Sequence, residues 1–88
     1  MKTYQYTHLL PILKHAIQDN DIKAITNIYQ NIEQLQQAIL ANENGQTAHQ
    51  IEKLRKVIVL YILQNHNSYP DSLQPLINAL RQLEHPDM

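Results

Sequence analysis

Five histidines, His8, His15, His49, His66 and His85, are the side chains of this sequence best suited to hold a metal ion, and their spacing argues against a helical site. Two imidazoles share a helix face when they stand three or four residues apart, and no pair here does. A site assembled from separate helices ranks below solvated or capping histidines. His66, between Asn65 and Asn67, reads as a turn residue. The carboxylates are scattered: Asp19, Asp21 and Asp71 have the positions of helix caps, and Glu33 and Glu52 those of surface residues. Acid–base catalysis needs two groups converging in a sheltered cleft, and no such pair is apparent. There is no cysteine nucleophile, no Ser-His-Asp order, and a single glycine, too few for a phosphate cradle. An enzyme therefore ranks last among the function classes, and no cofactor is expected.

Lys53, Arg55 and Lys56 form one basic cluster. A formal net charge of -1 offers no broad attraction to nucleic acid or anionic membrane, so the cluster reads first as a charged helix surface and only then as a DNA contact. The features that point to binding are apolar and aromatic. Val57 to Leu63 is an unbroken apolar run of seven residues inside a helical pattern, and a helix apolar all round must be covered on every side. Val57, Ile58, Tyr61 and Ile62 can face a core, which leaves Val59, Leu60 and Leu63 on the flanks. Those three either are covered within the monomer or form part of a patch for a second copy or another protein. Tyr4 and Tyr6 precede the first helix and are candidate anchors, with packing over the end of the fold as the alternative. The expected partner-binding residues are Val59, Leu60, Leu63, Tyr4 and Tyr6.

Four helices are predicted to carry these residues. The first spans about Thr7 to Gln18, with Leu9, Leu10, Leu13, Ala16 and Ile17 at helical spacing and Pro11 in its first turn. Asp19-Asn20-Asp21 interrupts the pattern, and Asn20 or Asp21 can cap the next helix. That second helix runs from about Ile22 to Ala41 on the stripe Ile22, Ile25, Ile28, Tyr29, Ile32, Leu35 and Ile39. Its expected stop is Asn42-Glu43-Asn44-Gly45, with Gly45 in the left-handed conformation. Thr47 to Gln50 has capping-box spacing and opens a third helix that reaches about Asn65, with a Glu52–Lys56 pair on its surface. A loop through Tyr69-Pro70 leads to a fourth helix from Asp71 or Ser72 to Leu83 or Glu84, with Pro75 in its first turn. Short loops between such helices imply an all-α, antiparallel up-down bundle of four helices in a single domain, with the apolar third helix at its centre.

Composition agrees. Hydrophobic residues make up 43% of the 88 and charged residues 17%, and much of the polar remainder is Gln or Asn, so a small core with a neutral surface is expected. The sequence Met1-Lys2-Thr3-Tyr4-Gln5-Tyr6 lacks the pattern of a secretory signal, and no apolar run has the length of a membrane span, which makes a cytoplasmic location the expectation.

The segment Leu13 to Gln37, with Gln18-Asp19-Asn20-Asp21-Ile22-Lys23-Ala24-Ile25 as turn and helix start, resembles the small bacterial flagellar export chaperones of the FliT and FlgN kind. The apolar helix Leu54 to Leu63, ending in Gln64-Asn65, continues the resemblance, which covers about half of the chain. It implies a helical hairpin followed by a helix whose apolar face holds a flagellar subunit tail. The break at Tyr69-Pro70 and the short last helix depart from the long continuous helices of those families. The leading expectation is a non-enzymatic adaptor or chaperone that binds another protein, or itself, through an apolar helical surface. A toxin immunity protein or similar small inhibitor is the alternative, and a DNA-binding regulator comes third.

Overall fold

The stripe from Ile22 to Ile39 is the spine of the molecule, and it is divided between two helices. The computed structural model of the protein describes residues 6–84. A 3-10 turn at Thr7–Leu9 leads into α1 (Leu10–Gln18), followed by the single-turn α2 (Asn20–Lys23), α3 (Thr26–Leu40) and α4 (Asn44–Gln64). A second 3-10 turn at Asp71–Leu73 opens α5 (Gln74–Glu84). No strand occurs among the described residues. The fold is the expected small all-α bundle, with four longer helices and α2 as an added turn.

Amphipathic periodicity explains the packing. Ile28, Ile32, Leu35 and Ile39 of α3 are buried, whereas Gln30, Glu33, Gln34 and Gln37 on its other side are exposed. The turn 41–43 folds α4 back along α3, and α1 packs against α3 from another side. α5 rests on α1, and α2 closes one end of the bundle against α1, α3 and the 71–73 turn. The expectation that the apolar third helix would be central is thus corrected: α3 occupies the centre and α4 lies on the flank. The molecule measures 40 × 28 × 18 Å along its principal axes. Among the described residues α4 packs chiefly on α3, and Val59, Leu60 and Leu63 stay exposed on its outer side.

Several local signals act one or two residues away from where the sequence suggested. The second predicted helix breaks at Ala24-Ile25, where the β-branched pair Ile25-Thr26 has weak helix preference and α2 turns to bury Ile22 completely. Of the residues read as caps here, Asp19 is the one that forms the cap: its Oδ1 accepts from the Asp21 and Ile22 amides at 2.9 and 3.1 Å, and Asn20 and Asp21 lie inside α2. Asp71 makes no capping bond from its side chain, and the amide of Leu73 donates instead to the Pro70 carbonyl.

Asn42, not Gly45, takes the left-handed conformation, at φ 59°. The Glu43 amide donates to the Ala38 carbonyl and the Asn42 amide to that of Ile39, a Schellman closure. The same closure ends α4, with His66 at φ 56° and the Asn67 amide on the Ile62 carbonyl, in keeping with His66 as a turn residue. Gly45 lies within the first turn of α4, and the capping box does not form. Thr47 and Gln50 are buried, and neither Thr47 Oγ1 nor Gln50 Oε1 has a hydrogen-bond partner.

A Cβ placed on Gly45 meets nothing within 4 Å. Gly45→Ala is therefore expected to raise stability by about 0.5–1 kcal/mol in urea denaturation, because alanine restricts the unfolded chain. The opposite sign would restore Gly45 to a left-handed role. Thr47→Val removes a buried hydroxyl that lacks a partner, and the expected gain is about 1 kcal/mol in the same assay. A loss there would mean that the hydroxyl is satisfied in the folded protein.

Candidate functional site on α4

The C-terminal half of α4 presents three faces. Ile51, Leu54 and Ile58, at the i, i+3, i+7 spacing, are buried in the core, and Val57, Tyr61 and Ile62 pack half-buried against it. Val59, Leu60 and Leu63 face outward, at 53%, 56% and 65% of full exposure. The division within the run is the expected one, and the flanking helices do not cover the outer three. Leu60 and Leu63 stand one turn apart, as do Val59 and Leu63, so the three make one continuous patch. Such a patch on a helix held by its opposite face is a preformed surface. Leu40, at the end of α3, is also exposed at 59% and was not singled out by the sequence pattern.

Two depressions border the patch. Between α4 and α5 lies an open groove of about 570 Å³, walled by Ile58, Val59, Leu60 and Ile62 on one side and Ile77 and Leu80 on the other. A smaller one, of about 300 Å³, lies between the start of α3 and α4, around Ile25, Val57 and Tyr61. Leu60 lines both and forms the ridge that separates them. The position of α5 is reinforced at its start, where the Tyr69 hydroxyl donates to Gln74 Oε1 at 2.7 Å and Gln74 Nε2 donates to Asn78 Oδ1 at 3.0 Å.

Charge is concentrated at one end of the larger groove. Arg55 and Lys56 of α4 and Arg81 of α5 line it, together with Glu52. Glu52 pairs with Arg55, one turn on, rather than with Lys56 as its spacing suggested. Lys53 is exposed and is not among the residues that line the groove. Arg55 and Lys56 of the basic cluster read from the sequence thus stand at the rim of an apolar groove. The contribution of Arg81, Ile77 and Leu80 was not foreseen, because it depends on α5 lying beside α4.

The other candidates lie elsewhere. Tyr6 is half-buried and packs against the core, lining neither groove, and Tyr4 falls outside the described residues. Among the described residues, no three His, Asp or Glu side chains are grouped to hold a metal ion. The Tyr29 phenol is held above its ordinary value by its hydrogen bond to Glu33, by burial and by the Glu33 charge, so it stays protonated at neutral pH.

Because Leu63 touches solvent and Leu54 is fully buried, the two should respond differently. Leu54→Ala is expected to cost about 2–5 kcal/mol by chemical denaturation, whereas Leu63→Asp should cost only about 1 kcal/mol, the disfavour of an acid in the last turn of a helix. Equal losses would place Leu63 in the core. No family model, no curated protein and no solved structure matches this chain.

Proposed function

We propose that the protein is a non-enzymatic helical binding module, an adaptor or export-chaperone-like protein that receives another protein along the outer face of α4. One observation carries this reading. Val59, Leu60 and Leu63 are aliphatic, adjacent and exposed beside an apolar groove, on a helix whose other side is anchored in the core. An incoming amphipathic helix can lay apolar side chains into such a groove without remodelling it. A second copy of the chain is the competing occupant. The resemblance to flagellar export chaperones fits a partner that is itself a helical segment. No helix among the described residues is long and apolar enough to cross a membrane, which is compatible with the cytoplasmic location such a role would need.

The test combines light scattering after size exclusion with partner capture from the native cell. Leu60→Asp and Leu63→Asp should leave the helical circular-dichroism spectrum intact and remove whichever association the unaltered protein makes, a dimer or a complex. Association that persists unchanged in both variants would place the contact away from α4 and overturn the proposal.

A further inference from the structure

Resting on that docking surface, we infer that the groove between α4 and α5 selects a partner helix that carries carboxylates about one turn from its apolar anchors. Charge placement argues for it. Arg55, Lys56 and Arg81 account for three of the seven lysines and arginines of a chain whose net charge is -1, and all three line this groove. Glu52 is the one carboxylate among the groove's described lining residues, and Arg55 holds it. Lys56 and Arg81 form no ion pair among the described residues, so these two cations are left to meet a partner's carboxylates. Lys56 precedes Leu60 by four residues and Arg81 follows Ile77 by four, about 6 Å along each helix. An occupant that matches both ends has aliphatic side chains for Val59, Leu60 and Ile77, and Asp or Glu for Lys56 and Arg81.

The same pattern excludes a second copy as the best fit. Two α4 helices side by side in parallel would set lysine against lysine. In the antiparallel arrangement about Val59-Leu60, Lys56 would lie against the other copy's Leu63 and lose water with no carboxylate in return. A partner with its own acidic residues meets neither penalty, and opposite charge at the rim also orients the approach.

The experiment uses two synthetic 18-residue helical peptides with the same leucine stripe, one flanked by Glu and one by Lys, titrated by fluorescence anisotropy against the full chain. The Glu peptide is expected to bind at least about fivefold more tightly than the Lys peptide at low salt. That preference should reverse in Lys56→Glu/Arg81→Glu, whose substitutions are confined to exposed positions, and both peptides should lose affinity in Leu60→Asp. Equal binding of the two peptides, still lost in Leu60→Asp, would overturn the acidic partner and leave the docking surface standing. No binding of either peptide by folded protein would overturn both. Retention on duplex DNA that Lys56→Glu/Arg81→Glu abolishes, without peptide binding, would assign the cations to nucleic acid and also overturn the proposal.

Discussion

The burial of α3 sets the terms for everything else in this molecule. Its stripe of Ile28, Ile32, Leu35 and Ile39 must be covered, and the coverage comes from the inner faces of α1 and α4. A chain of 88 residues can surround one helix in this way but not two. α4 therefore buries Ile51, Leu54 and Ile58, and among the described residues nothing covers Val59, Leu60 and Leu63. The exposed patch is a geometric consequence of where α3 sits. Its aliphatic composition is an additional property of the sequence, since a solvent-facing side of α4 would be served equally well by the glutamines found on α3.

Much of this was legible because a helical stripe is a statement about one element alone. The buried positions of α3 and the inward and outward division of Val57 to Leu63 follow from a 3.6-residue period. Features that depend on two elements were not legible. The weak helix preference of Ile25-Thr26 permits the break at Ala24-Ile25, but α2 also turns onto α1 and the 71–73 turn, a contact with no signature in the local sequence. Gly45 drew attention as the sole glycine of the chain, yet the left-handed position is fixed by where the stripe ends. With Ile39 and Ala38 as the last buried residues of α3, the closing bonds fall on Asn42 and Glu43. Asparagine tolerates that conformation, so glycine was free to enter the helix. The groove wall formed by Ile77, Leu80 and Arg81 was hidden for the same reason: it requires the path of the 65–70 connection.

The polar atoms inside the bundle show that it is not tuned for stability alone. Asn31 is buried, with Nδ2 donating to the Asn27 carbonyl at 2.7 Å and Oδ1 without a partner. Thr47 Oγ1 and Gln50 Oε1 are unpartnered as well. Each such group costs about 1–3 kcal/mol relative to a satisfied one, a large share of the margin available to a small domain. These three lie on α3 or α4, the pair that packs most extensively, and a fourth, Ser72 Oγ, lies in the 71–73 turn.

The energetics of association then tie the patch to the groove. Burying an aliphatic side chain stabilises by about 1.5–3 kcal/mol, and association costs about 4–15 kcal/mol in lost translational and rotational freedom. Three side chains, Val59, Leu60 and Leu63, reach the lower part of that range and leave little surplus. A partner that also fills the space beside Ile62 and Ile77 adds apolar contact without ordering anything new on this protein, because α4 is already held by α3 and α5 by α1. Exposed cations at the rim add little affinity of their own, since water and salt screen them. Their effect is on choice: a partner that placed lysine against Lys56 and Arg81 would forfeit part of a narrow surplus. When the apolar gain is this close to the cost of association, a modest charge term decides which helix stays bound.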